Sequence, residues 1–178
     1  MKRPGNQKMR KHPSACSRVP VIPLSLFLCL GPVLGEGLEK APGFSLKNIE
    51  KLEGNAVTLS SLEGKVVLLN VFTTTCDICR AEFPNLIAVN EKYSKREDVQ
   101  VVGIAIDPMI EAVESLVRAA GINYTVLMGE LETLVTWKVK AFPTSFLINK
   151  RGLISQQYVG LHDKSVFVSD IEEILGEK

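Results

Sequence analysis

Val66-Val-Leu-Leu-Asn-Val-Phe-Thr-Thr-Thr-Cys-Asp-Ile-Cys-Arg-Ala-Glu-Phe83 passes from a nearly continuous apolar run through a polar break into two cysteines three residues apart. From Val66 to Phe72 the run is rich in β-branched residues and lacks polar alternation, as in a strand covered on both faces of a sheet. It stops at Thr73-Thr-Thr75. Beyond Cys76 the apolar residues Phe83, Leu86, Ile87 and Tyr93 recur at helical spacing up to about Ser94, with Pro84 placed to kink the helix near its start. Cys76 and Cys79 therefore open a helix that leaves the end of a buried strand.

That placement has chemical consequences. The first amides of a helix lack partners and its dipole is positive there, so a sulfur at Cys76 is favoured as the thiolate, the form that attacks disulfides. Cys79 lies one turn further in, which brings the second sulfur next to the first while burying it. Cys76 then attacks a substrate disulfide, Cys79 resolves the mixed disulfide, and the pair cycles between dithiol and disulfide.

Working outward, Val99-Gln-Val-Val-Gly-Ile-Ala-Ile106 predicts a second buried strand, and Ile110, Val113, Val117 and Ala120 the apolar face of a helix ending at Gly121. Tyr124-Thr-Val-Leu127 reads as a brief strand and Leu131 to Trp137 as two helical turns. Phe142-Pro143 introduces the strand Thr144-Ser-Phe-Leu-Ile148, Asn149 to Gly152 closes it, and Ile154 to Val159 pairs back across that turn. Phe167, Ile171, Ile174 and Leu175 mark a terminal helix. Upstream, Val57-Thr-Leu59 is a short strand between turns at Gly54-Asn55 and Glu63-Gly64-Lys65. The order strand, helix, strand, helix, then hairpin and helix makes an α/β sandwich, a mixed central sheet with helices on both faces.

The chain has 178 residues, 46% hydrophobic and 23% charged, which suits one globular domain and excludes disordered, collagenous and coiled-coil classes. Its net charge of +1 hides an asymmetry. The first 35 residues carry six basic residues and no acid; without them 15 basic face 20 acidic residues, a net of −5 over 36–178. A mildly acidic body has no electrostatic drive toward nucleic acid, so none is expected as a partner. The basic stretch leads into an uncharged apolar segment, 19–34, broken by Pro20, Pro23 and Pro32 and followed by Gly35 and Glu36. Residues 1–35 read as a cleaved signal peptide or an uncleaved membrane anchor, and both place residues 36–178 outside the cytoplasm. Cys16 and Cys29 fall in that leader as small apolar fillers. The body keeps only Cys76 and Cys79, too close in sequence to staple a fold, and lacks the second Cys or His pair of a tetrahedral zinc site.

These residues resemble the thioredoxin superfamily, and within it the TlpA/ResA/CcmG-like extracytoplasmic thiol-disulfide oxidoreductases, over about Ala41 to Leu175. The resemblance rests on the Val66–Phe72 run, on Cys76-Asp-Ile-Cys-Arg-Ala-Glu-Phe-Pro-Asn-Leu86, on Phe142-Pro-Thr-Ser-Phe-Leu-Ile148 whose proline stands 64 residues after Cys79, and on Gly152 in the hairpin turn. It implies a three-layer thioredoxin-like fold and a cis Pro143 packed against the cysteine pair, with Phe142 and Thr144 beside it offering backbone to an incoming peptide. Asn70, six residues before Cys76, stands where cytoplasmic thioredoxins keep a buried acid. Asn moves no proton, and the resemblance gives that task to Glu82, one helical turn from Cys79. Arg80 is expected to ion-pair with Glu82 or Asp77 on the surface. The family further implies no cofactor, client protein disulfides as substrates, a membrane thiol-disulfide protein as electron donor, a monomer, a place in the bacterial periplasm or on the outer membrane face, and cytochrome c maturation or repair of particular disulfides as the purpose.

Three neighbours depart from the family pattern. Thr75 replaces the usual Trp before the first cysteine and Ile78 the usual Pro before the second. Asp77 puts a carboxylate between the sulfurs, which opposes a thiolate and favours a more reducing pair. Trp137 is expected in the core. Two rival readings share the fold. A Sco-like copper chaperone would use the two cysteines and a histidine, yet no histidine precedes the strand after Pro143, and His162 is expected to be solvent-exposed. A peroxiredoxin-like thiol peroxidase is suggested by Thr73-x-x-Cys76, but its upstream proline is replaced by Leu69.

Overall fold

The computed structural model describes residues 38–176; the expected leader lies outside the described residues. Strands β1 (Ser45–Asn48), β2 (Val57–Thr58), β3 (Val66–Phe72), β4 (Val99–Ile106), β5 (Thr125–Gly129), β6 (Thr144–Ile148) and β7 (Ile154–Val159) form one sheet in the order β2-β1-β5-β4-β3-β6-β7. Helices α1 (Asp77–Tyr93), α2 (Ile110–Ala120), α3 (Leu131–Thr136) and α4 (Lys164–Gly176) cover it. Strands β3, β4 and β5 run parallel, and β6, β7, β1 and β2 pair antiparallel beside them, so the sheet is mixed as expected.

β3 is central, with β4 on one side and β6 on the other, and all seven of its residues are buried. This explains why its sequence carries no alternation. Alternate residues serve two separate cores. Val66, Leu68 and Phe72 meet Phe83, Leu86 and Val89 of α1, Val113 and Val117 of α2, and Phe167 and Ile171 of α4. Val67, Leu69 and Val71 meet Phe146, Ile148, Trp137 and Leu134, on the face covered by α3 and a short 3-10 turn at Leu59–Leu62. Trp137 is buried there as expected, its ring edge-on to Phe146 at 5.0 Å.

The outer strands depart from the sequence reading. β1 was not expected: Ser45-Leu-Lys-Asn has a single apolar residue and is extended because Lys47 and Asn48 pair with Met128 and Leu127 of β5. β2 ends at Thr58, not Leu59, because the Thr58 hydroxyl accepts from the Ser61 amide and starts the 3-10 turn. β5 starts at Thr125 and reaches Gly129, whose missing side chain is required: a Cβ would lie 2.4 Å from Ile104 Cγ2 and 2.7 Å from Ile106 Cδ1. α1 runs unbroken across Pro84, and α2 ends at Gly121, whose φ of 64° is readily adopted only by glycine.

Candidate active site

β3 ends at Phe72, three residues of loop follow, and Cys76 caps α1. The Cys76 sulfur accepts the Cys79 amide at 3.1 Å, so it takes the place of the Ser or Asp oxygen that ordinarily caps a helix. Cys76 and Cys79 are joined in a disulfide. Cys76 is half-buried and Cys79 fully buried, and between them Asp77 and Ile78 are exposed, as is Thr75 before them. An accessible first sulfur and an enclosed second one is the asymmetry that exchange chemistry needs.

The loop before Cys76 is held from two directions. The Thr74 hydroxyl donates to Asp107, at the end of the parallel neighbour β4, and Arg80 Nη2 donates to the Thr74 carbonyl at 2.7 Å. This corrects the expected surface pairing of Arg80 with Glu82 or Asp77: the guanidinium turns back over the first turn of α1 to serve the loop.

Glu82 could not have been that partner, for it is fully buried. Its Oε2 accepts from Asn70 Nδ2 at 2.9 Å and its Oε1 from the His162 amide at 3.0 Å. Asn70 comes from the middle of β3 on the face toward α1, paired in register with Ser145, whose hydroxyl receives its second N–H at 2.9 Å. Burial outweighs these hydrogen bonds and pushes the Glu82 carboxyl up to about 7, from an ordinary 4.5. Asn70 Oδ1 and the Tyr124 hydroxyl are buried in the same region without a partner among the described residues.

Across β3, the Phe142–Pro143 peptide is cis, as expected. Val71 pairs with Thr144, so Pro143 lies just beyond the paired end of β3, where the loop to Cys76 begins. Thr144 is buried and its hydroxyl donates to the Ala141 carbonyl at 2.8 Å, while the Pro143 carbonyl accepts from the Gly160 amide at 2.8 Å. Phe142 is half-buried and packs against both cores, the first of which also holds Cys76.

A family model described as AhpC/TSA matches residues 38–157, which runs from before β1 into β7 and includes both cysteines, Glu82 and Pro143. The chain belongs to the AhpC/TSA family. The chain is similar to the thiol-disulfide oxidoreductase ResA of Bacillus subtilis, 32% identical over 134 residues that cover 75% of this chain and 72% of the relative. ResA of Bacillus thuringiensis is 31% identical over 137 residues, covering 76% and 77%. A crystal structure of a thioredoxin-family thiol:disulfide interchange protein from Chlorobium tepidum superposes with a TM-score of 0.69 at 29% identity, over 79% of this chain and 98% of that one. This AhpC/TSA member is thus a thiol-disulfide oxidoreductase with a thioredoxin-like fold, similar to the ResA and DsbE/CcmG-like proteins.

The structure brings Cys76, Cys79, Glu82 and Asn70 together and sets Phe142, Pro143 and Thr144 beside the end of the same strand. It also supplies a residue that the sequence reading placed wrongly. His162 is half-buried, its ring stands edge-on to Tyr158 at 5.3 Å, and its amide is the second donor to Glu82. It lies 80 residues from Glu82 and contributes its backbone, so no side-chain motif could have flagged it. As to copper, no group of three His, Cys, Asp or Glu side chains is arranged to hold a metal among the described residues. A lasting copper site needs a third ligand beside the two sulfurs.

Proposed function

We propose that the chain reduces disulfides of specific client proteins outside the cytoplasm, with Cys76 as nucleophile, Cys79 as resolving thiol, Glu82 as proton acceptor and Pro143 shaping the docking strand. The observation that carries this is a half-buried sulfur capping α1, disulfide-linked to a fully buried one, with a buried carboxyl three residues further along the helix. In the reduced protein the Cys76 thiolate attacks one client sulfur. The client S–S bond breaks, a mixed disulfide forms, and the first client sulfur leaves as a thiolate and takes up a proton. Cys79 then gives its proton to the Glu82 carboxylate and attacks Cys76 Sγ, which releases the second client thiolate and closes the Cys76–Cys79 disulfide. The client gains two electrons and the protein loses two. A carboxyl titrating near 7 is suited to accept that proton and return it at neutral pH.

The client strand docks beside Phe142, Pro143 and Thr144, by adding main-chain hydrogen bonds at the loop before β6. Residues 1–35 serve as signal peptide or anchor and residues 36–178 as the catalytic domain, which works as a monomer. A membrane thiol-disulfide protein restores the dithiol, and cytochrome c maturation is the process these features suit. The ResA relatives support the reading through the activity in their name.

The test is trapping. Cys79→Ser, incubated reduced with a peptide disulfide, is expected to accumulate a mixed disulfide at Cys76, seen as a mass adduct that dithiothreitol removes. With Cys16 and Cys29 replaced by Ser in both proteins, Cys76→Ser is expected to form none, because its remaining thiol, Cys79, is fully buried. An adduct on both variants or on neither would overturn the assignment.

A further inference from the structure

The loop between β7 and α4 joins the two halves of the site through four hydrogen bonds. The Gly160 amide donates to the Pro143 carbonyl at 2.8 Å. The Gly160 carbonyl lies 2.9 Å from His162 Nδ1; a carbonyl only accepts, so Nδ1 carries the proton. The His162 amide donates to Glu82 Oε1 at 3.0 Å, and the His162 carbonyl accepts from Asn85 Nδ2, three residues beyond Glu82 on α1, at 3.1 Å. Gly160 turns the chain with a φ of 86°, and the imidazole stands between Tyr158 and Phe167, 5.3 Å and 6.2 Å from their ring centres.

Glu82 has one donor on each oxygen. Asn70 is fixed by the central strand, whereas the His162 amide sits in irregular chain between the exposed Leu161 and Asp163. What holds that amide is its own side chain on one side and Asn85 on the other. We propose that His162 is a positioning residue: its Nδ1–H bond to Gly160 keeps its amide on the Glu82 carboxylate and, through Gly160, ties that amide to the Pro143 carbonyl, so that a client seated at Pro143 acts on the proton acceptor. The proposal rests on Glu82 handling the proton. Withdrawal of the amide removes a donor that favours the ionised form, so the carboxyl holds its proton more tightly.

The groups that bear on Glu82 are Asn70 on β3, Tyr124 just before β5 and His162 itself, with Ser145 of β6 bonded to Asn70 behind it and Cys79 one turn back on α1. The imidazole, when protonated, also favours the carboxylate by its charge, and the experiment must separate charge from position. Asn at 162 places an amide N–H where Nδ1–H stands but does not titrate, whereas Ala removes both.

The test uses the full chain with 13C-labelled glutamate, reading the Glu82 carboxyl titration by NMR and the pH profile for reduction of an aryl disulfide. His162→Ala is expected to move both midpoints upward by about one pH unit, the scale of one lost hydrogen bond to a carboxylate. Asn85→Ala should move them in the same direction and less, and His162→Asn should restore the wild-type values. Equal shifts in His162→Ala and His162→Asn would overturn the proposal in favour of charge. A lower melting temperature with both midpoints unmoved would overturn it in favour of a structural role. If His162→Ala does not fold, Asn85→Ala against His162→Asn decides the matter by the same two readouts. Glu82→Gln keeps the failures apart: if it leaves the reduction profile unchanged, the proton role of Glu82 falls and the loop coupling with it; if it flattens the profile while the loop variants do nothing, only the coupling falls.

Discussion

Asp77 and Glu82 are two carboxylates on one helix with opposite surroundings, and each has a measurable consequence. Glu82 is fully buried and its carboxyl is raised to about 7, so between pH 4.5 and 7 the native state binds a proton that the unfolded chain has lost. Native stability therefore falls as pH rises through that window and levels off above it, by at most about 3 kcal/mol. Glu82→Gln removes that dependence. In urea unfolding of the oxidised protein it is expected to match the wild type near pH 4.5 and to exceed it by up to ~3 kcal/mol at pH 8; a difference independent of pH would contradict the assignment. Asp77 is exposed in the first turn, where its charge favours the helix but opposes a Cys76 thiolate. Asp77→Asn should stabilise the thiolate and hence the reduced form, moving the potential to less negative values by roughly 10–20 mV at low salt and by less at high salt. A shift toward more negative values would show that the helix-capping effect dominates.

Among the elements, β3 and α1 position the chemistry and β4 and β6 position β3. The central strand holds Asn70 in register between Gly103 and Ser145, which aims its amide at Glu82, and its end carries the loop that Thr74 fastens to Asp107. β5 packs against this core through Gly129. Gly129→Ala would drive a methyl into Ile104 and Ile106 and is expected to destabilise the fold by about 1–3 kcal/mol in thermal or urea unfolding. It should leave the Cys76–Cys79 potential within error, because nothing in the site touches it; a shifted potential would mean that the sheet transmits strain to the cysteines. β3, β4, β6 and α1 were legible from sequence because each is buried enough to show a pure apolar run or a clear helical stripe. β1 was not, because Ser45-Leu-Lys-Asn is extended only through its pairing with β5, a tertiary cause that leaves no local trace. Arg80 was misread for a related reason: spacing along a helix shows which side chains are neighbours, not that one of them is buried and another reaches a loop carbonyl.

For the whole molecule, the fold brings residues distant in sequence into one site, from Asn70 through His162, at the end of the central strand where the loop to Cys76 emerges. The cysteine pair was marked by its spacing at a helix start, and the resemblance to the thioredoxin superfamily pointed to Glu82 and to the Phe142-Pro143-Thr144 turn, which the fold sets at the end of the same strand. The His162 contribution was not legible, since it is a backbone amide delivered by a loop that only the packed β7 and α4 define. The most direct test of the central claim is the equilibrium reduction potential of the protein in thiol redox buffers, with Cys76→Ser as control and copper content recorded. A single two-electron transition below about −230 mV, absent in Cys76→Ser, is the predicted result, since strong oxidants of this chemistry lie near −120 to −180 mV. No such transition, or tight binding of one Cu(I) per chain with poor disulfide exchange, would contradict it.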